Sequence, residues 1–427
     1  MNKFVFVVFL FLLTRSVNAQ SLYFPPISTN QWETMNPDLL NWNSANIDSL
    51  NQFLERNNTK AFILLKDGKI VLEKYFDDFD TNSIWYWASA GKTLTSFLIG
   101  IAQQEQYLSI YDTSSQYLGL GWTECSPEQE RKITIKHQLT MTSGLDDDVP
   151  DPYCTIDTCL QYLENAGDRW AYHNAPYTLL DQIIENATGI TLNQYMTQKV
   201  KNQTGISGLF VPSGYNNVYY SNARSMARFG LLILNKGKWD QTIVLSDTNY
   251  YNEMVNTSQN LNLSYGYLWW LNGKSSFMIP QSQFVFPGFL SPHAPEDMFA
   301  AMGKNGQFIN VVPSENLVWI RLGDSPENTD VSFLLNDQIW EYINRLPDES
   351  GISERTMDDL PYPNPTNGMV HFSQIFKTIY VLDISGKRLQ TYSNSNWIDL
   401  TELNQGIYII QIINNKQIIN LKIVKSS

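Results

Sequence analysis

Cysteine and histidine are both scarce, with 3 Cys and 4 His in 427 residues. Neither Cys125, Cys154 and Cys159 nor His137, His173, His293 and His371 fall at metal-ligand spacing, so no metal is expected. Positive charge is short as well: Lys and Arg number 29 against 42 Asp and Glu, a formal net charge of −13. A chain with so little basic surface is not built to track phosphates, and nucleic acid is not an expected partner. Long apolar runs are missing beyond the N-terminus, so the mature chain is expected to carry no transmembrane segment. The aspartate run Asp146 to Asp148 lacks the spacing of an EF-hand loop, which leaves a solvated turn or helix start.

The one apolar run comes first. Lys3, the stretch Phe4 to Leu13, and Val17-Asn18-Ala19 before Gln20 form the three parts of a secretory signal peptide over residues 1–19. An exported chain with an odd number of cysteines cannot pair them all internally. Cys154 and Cys159 flank a short turn and are the expected disulfide, while a bridge from Cys125 to either stays open at this level.

Along the chain, Ile47, Leu50, Phe53 and Leu54 fall at helical spacing. Ala61 to Leu65 and Ile70 to Phe76 flank Asp67-Gly68, a hairpin with its turn. Helices are expected from Ser89, then over Ala175 to Thr188, Leu192 to Val200, Ser221 to Leu234 and Val331 to Leu346. Shorter helical pieces fall in Asp112 to Leu118, Ile133 to Thr142 and Trp239 to Asn256. An aromatic strand is expected over Tyr265 to Leu271 and a last hairpin across Met298 to Leu322. Strands at both ends with helices between predict an α+β domain over residues 20–346, with one antiparallel sheet shared by the termini and a helical insert. Residues 347–360 are polar and acidic and read as a linker. Residues 361–427 turn to short strands rich in Ile and Tyr, which predict a small all-β sandwich.

The chemistry centres on Ser89-Ala90-Gly91-Lys92, where an aromatic strand-like segment becomes an apolar helix. Residues three apart on a helix share a face, so the Ser89 hydroxyl and the Lys92 amine meet at a helix N-terminus, whose dipole favours an alkoxide. An amine that takes the serine proton makes a nucleophile without histidine. The proton-handling partner is assigned to Tyr172 in Tyr172-His173-Asn174, which enters an apolar helix, with Asn174 placed to hold the lysine or a substrate carbonyl. Tyr220-Ser221-Asn222 is the rival of the same pattern. A third segment, Met302-Gly303-Lys304-Asn305-Gly306-Gln307, offers an edge-strand lysine for a substrate carboxylate. It also offers Gly306 for close substrate approach and the Gln307 amide as an oxyanion donor beside the Ser89 amide.

In order and spacing, Ser89-Ala90-Gly91-Lys92, Tyr172-His173-Asn174 and Lys304-Asn305-Gly306 resemble the motifs of the penicillin-recognising serine hydrolases. The resemblance is to the class C β-lactamase-related branch, which also holds esterases, D-aminopeptidases and 6-aminohexanoate-dimer hydrolases, and it spans Lys60 to Leu346. It implies a β-lactamase/transpeptidase-like fold and a secreted serine hydrolase with no cofactor, acting on a small-molecule or peptide-like ester or amide. By the same resemblance Ser89 is acylated, Lys92 is its base, Tyr172 handles protons, and Gln307 N–H completes the oxyanion hole. Two positions depart from the pattern: His173 stands for a small residue, and Asn305 for a Thr or Ser whose hydroxyl helps bind a carboxylate. That departure and Trp269-Trp270 favour an apolar acyl or amide substrate. A β-lactamase, a D,D-peptidase acting on cell-wall-type substrates and a non-catalytic binding protein are the alternatives.

Tyr362-Pro363-Asn364-Pro365, Leu382 to Lys387, Ile398-Asp399-Leu400, Gly406-Ile407-Tyr408 and Lys425 resemble the sorting domain of the type IX secretion system. That resemblance implies the secretion machinery as a partner and a secreted or cell-surface location.

Overall fold

Helix α1 (Ser44–Arg56) leads into the hairpin of β1 (Thr59–Lys66) and β2 (Lys69–Tyr75). Asp67 and Gly68 both take positive φ, 51° and 81°, the twist that lets two strands close over two residues. After the short strand β3 (Trp85–Tyr86) come α2 (Lys92–Gln104) and α3 (Asn174–Thr188), then the hairpin β4 (Leu209–Ser213) and β5 (Asn216–Ser221). Helix α4 (Ala223–Leu234) and strands β6 (Trp270–Leu271), β7 (Phe299–Gly303), β8 (Gln307–Val312) and β9 (Leu317–Gly323) follow, and α5 (Phe333–Asn344) closes the region. The computed structural model describes residues 22–325, 331–347, 361, 363–383, 387–414 and 417–426. The expected signal peptide, the linker after Pro347, Tyr362 and Ile384 to Gly386 lie outside the described residues.

The main sheet is antiparallel, in the order β2-β1-β9-β8-β7-β6. It joins the N-terminal hairpin to the last strands, as the sequence pattern predicts. Helices cover both faces, and β9 shows why its residues are apolar throughout. Val318 meets α4, where a Cβ on Gly230 would lie 2.5 Å from Val318 Cγ1. The next residue, Trp319, points the other way, onto Trp340 of α5 at 5.7 Å between rings. Successive residues alternate between faces, so a strand covered on both sides needs a continuous apolar run. Glycine at 230 lets α4 approach that closely. On the far face, α1 meets α5 through the stacked rings of Phe53 and Tyr342.

Three elements differ from the sequence expectation. The aromatic run Tyr265 to Leu271 gives only a two-residue strand, because Tyr265 folds back to bridge Trp270. The last hairpin is preceded by the further strand β7, so Lys304 lies in a turn inside the sheet order rather than on an edge strand. Tyr220 lies on β5, opposite Tyr86 of β3, rather than heading a helix.

The chain divides into two compact units, Met1–Pro347 and Asp348–Ser427. The second is all-β, with strands β10 (Met369–Leu382), β11 (Arg388–Asp399), β12 (Gly406–Asn414) and β13 (Gln417–Lys425) in the order β11-β10-β12-β13. A register shift between His371 and Phe376 interrupts the β10–β11 pairing. Val370, Ile379, Val381, Ile398 and Ile410 form this unit's own buried core.

Candidate active site

Ser89 lies at a clamped corner. Residues Ala88–Gly91 form a 3-10 turn and the α-helix starts at Lys92, three residues later than expected. Ala88 takes φ +46°, a left-handed conformation that costs a non-glycine residue about 1–3 kcal/mol and persists only where the surroundings hold it. Trp87 supplies that hold: its N–H donates to Tyr219 O at 2.8 Å and its indole N–H to Ser221 Oγ at 2.9 Å. Gly91 makes only ordinary contact with Tyr219. A close backbone approach lies at Gly303, where a Cβ would sit 2.5 Å from Trp87 O and 3.0 Å from Ser89 N. Any side chain at 303 would push β7 off the Ser89 turn.

The Lys92 side chain connects two of the sequence motifs. Its Nζ donates to Ser89 Oγ at 2.9 Å and to Asn174 Oδ1 at 2.8 Å. The lysine is 3 % exposed, and its ammonium faces the rings of Tyr177 and Tyr172 at 4.1 and 5.2 Å from their centroids. Tyr172 is buried and stacks on Trp270 at 5.5 Å, with Tyr265 and Trp170 at its edges. Trp270 therefore forms a wall behind Tyr172. Trp269 does not: it is fully buried between Phe229 and Phe299. The rival Tyr220-Ser221-Asn222 is structural, since Ser221 receives the Trp87 indole and Asn222 caps α4 by accepting from Ser225 N.

The Lys304–Gly306 turn joins β7 to β8 at the Ser89 corner. Lys304 is exposed, and the Asn305 amide donates to Tyr86 OH at 2.7 Å. Gly306 is buried at φ +74°, and its missing Cβ makes room for Arg321, whose Nη1 would lie 2.5 Å from that atom. The expectation that Gly306 admits substrate is therefore corrected: the space belongs to a buried guanidinium. Gln307 pairs with Gly303 across the hairpin, and its carboxamide is spent on β9, donating to Gly323 O and accepting from Gly323 N.

His173 is buried, and neither ring nitrogen has a hydrogen-bond partner among the described residues. Burial pushes its pKa down to about 4, so it is neutral and carries no charge at the site. Cys154 and Cys159 are bridged, with their Cα atoms 5.9 Å apart, and Cys125 is a half-buried thiol. Three residues the sequence reading passed over bear on the site: Gly303, Tyr177 and Arg321. Gly303 carried a readable signal, a glycine where a strand ends; the other two resemble ordinary core and sheet residues.

A six-stranded antiparallel sheet covered on both faces, with a Ser-x-x-Lys turn facing a Tyr-x-Asn helix start, defines a β-lactamase/transpeptidase-like fold. Residues 52–342 match the family described as Beta-lactamase, and the chain belongs to this beta-lactamase family of serine hydrolases. Residues 361–426 match the secretion system C-terminal sorting domain. Among known proteins, the chain is 23% identical over 317 residues to an uncharacterised protein of Alkalihalophilus pseudofirmus, covering 66% of this chain and 88% of that one. A solved structure assigned as a 6-aminohexanoate-dimer hydrolase from Bacillus anthracis superposes with a TM-score of 0.56 at 18% identity, over 76% of this chain and 91% of its own. A family VIII carboxylesterase superposes with a TM-score of 0.55 at 12% identity, over 74% and 99%. Among the described residues no helix is long and apolar enough to cross a membrane.

Proposed function

We propose that the chain is an exported serine hydrolase that cleaves an ester or amide bond through an acyl-enzyme on Ser89. The observation that carries this reading is the Lys92 amine held at 2.9 Å from Ser89 Oγ by Asn174 on its other side. In this mechanism Lys92 takes the hydroxyl proton as Oγ attacks the carbonyl carbon. The oxyanion is received by Ser89 N–H and by a second amide from the Gly303–Gln307 segment. Gln307 N–H is the donor the resemblance implies, and Lys304 N–H is the one adjoining the Gly303 contact. Tyr172 passes the proton to the leaving group, and a water activated by the same groups then releases the acyl chain. The tyrosine's backing by Trp270 and Tyr265 favours substrates with an apolar acyl or amide part.

We assign residues 1–19 to a signal peptide, 20–346 to the hydrolase, 347–360 to a linker and 361–427 to the sorting domain, which directs the chain outside the cell or to its surface. The test is rapid-mixing hydrolysis of p-nitrophenyl butyrate by the mature chain. A burst of about one equivalent of p-nitrophenol, with the butyryl group mapped by mass to the Ser89 peptide, is the expected result. Acylation mapped elsewhere, or none with any ester, amide or β-lactam, leaves the reading without support.

Lys304 gives a further expectation. An exposed lysine beside the site attracts anionic substrates through a solvent-screened field. Lys304→Ala is expected to raise KM several-fold for a carboxylate-bearing ester at low salt, with kcat unchanged. For a neutral ester KM should stay as in the parent. Equal changes for the two esters would remove Lys304 from substrate recognition.

A further inference from the structure

Beneath the Ser89–Lys92 pair, the interface of α2 and α3 is polar where an apolar seam would be expected. Asn174, Thr178 and Asp181 share one face of α3 at i, i+4 and i+7, and Lys92 and Thr95 lie one turn apart on α2. Asn174 accepts from Lys92 at 2.8 Å. One step deeper, Asp181 is 2 % exposed and accepts from the Thr95 hydroxyl at 2.9 Å and the Asn217 amide at 3.2 Å. Tyr177 lies between the two levels, with its ring 4.1 Å from Lys92 Nζ. The titratable groups that act on Asp181 are Lys92 from α2 and Tyr177 and Glu185 from its own helix, while β5 contributes the neutral Asn217.

Nothing in the Ser89 mechanism uses this carboxyl. It makes no ion pair among the described residues, and two neutral hydrogen bonds leave a buried carboxylate under-solvated. Burial pushes Asp181 up to about 7, and Lys92 opposes that shift. Such an interaction is reciprocal: a charged Asp181 favours the ammonium, and a neutral Asp181 removes that pull.

We propose that Asp181 is a positioning residue for this site, a buried carboxyl whose charge sets how much of Lys92 is the neutral amine that Ser89 requires. This rests on the acyl-enzyme reading above. In balance, an ammonium and a carboxylate become an amine and a carboxylic acid; one N–H bond is lost, one O–H bond forms, and the charge of the pair stays zero. As long as Asp181 keeps its charge it holds Lys92 as the ammonium, so removing that charge releases the amine at lower pH.

The experiment is kcat/KM against pH from 5 to 9 for wild type and Asp181→Asn with a neutral p-nitrophenyl ester. Asparagine keeps the size and removes the charge, so the acid limb is expected to move to lower pH by about half a unit to one unit. A role in packing alone would lower kcat/KM by the same factor at every pH and leave the limb in place, which overturns the proposal. A limb that moves to higher pH overturns it as well. If Asp181→Asn fails to fold, Asn217→Ala removes one hydrogen bond from the charged form and is expected to move the limb the same way, by less. An unmoved limb in that variant is equally decisive against the proposal. The Ser89 burst of the wild type is measured in the same preparation. A burst with an unmoved limb rejects Asp181 alone, whereas no burst rejects the acyl-enzyme first.

Discussion

Ser89→Ala is expected to abolish ester turnover, and Lys92→Met to lower kcat/KM by about 10³- to 10⁴-fold while leaving the fold intact. The two losses have different causes. Without Oγ there is no atom to acylate, so the residual rate is that of the oxyanion donors acting on water. Without the amine the hydroxyl remains but its proton has no acceptor. A lysine base carries its own energetic demand, because it must shed a proton near neutral pH. From a free pKa of ~10.4 that asks for ~3 units, or ~4 kcal/mol of differential stabilisation. Burial is the contribution of the right sign, since the lysine is almost wholly withdrawn from water; the two aromatic rings its amine abuts and the hydrogen bond to Asn174 favour the ammonium and act against it. Methionine keeps the length and apolar stem of lysine, so the fold should tolerate it well. Steady-state kinetics and thermal melts of the two variants check this together. Turnover near wild type in Lys92→Met would mean that another group takes the proton.

How much of this was legible depends on the range of the interaction involved. The Asp67-Gly68 hairpin and the helices over Asn174–Thr188 and Phe333–Asn344 follow from local pattern, and they appear where the spacing put them. The Ser89–Lys92 contact is also local, a three-residue spacing at a helix entrance, although the helix begins later than expected and the serine sits on a strained 3-10 turn. What escaped is long-range. Gly306 looked like a door for substrate because glycine in a strand often marks a close approach. Only the fold shows that the approaching group is Arg321, fifteen residues on. Trp269 and Trp270 were indistinguishable as neighbours in sequence, yet their alternation sends one into the core and the other behind Tyr172. Asp181 sits at a position that helical periodicity marks as buried, where an acid has no local explanation; its partners come from α2 and β5.

Arg321→Met should be the most destabilising single change near the site that does not touch its reacting atoms. The guanidinium is fully buried and uses all three nitrogens. Nε donates to Thr59 Oγ1 at 2.9 Å, Nη1 to the carbonyls of Asn305 and Gly306 at 3.1 and 2.7 Å, and Nη2 to those of Asn57 and Asp324, both at 2.6 Å. One side chain thereby ties the start of β1 and the end of β9 to the turn that carries Lys304. Methionine fills part of the volume but leaves those carbonyls without a donor, at about 1–3 kcal/mol for each that water cannot reach. Asn57, Asn305 and Asp324 are only half-buried and can recover some hydration, so the net loss is set at about 3–5 kcal/mol. For a unit of this size that corresponds to a Tm lower by roughly 4–7 °C. Arg321→Lys separates charge from geometry. A lysine keeps the positive charge but presents one nitrogen in place of a planar fork, so it can serve only part of the acceptor set. Its Tm is expected between those of the wild type and the methionine variant. Because the turn hangs on Nη1, kcat/KM should fall in the same order, measured below the melting range of each protein. A methionine variant as stable as the wild type would mean that the buried charge costs about as much as its hydrogen bonds return, and that β8 and β9 alone hold the turn in place.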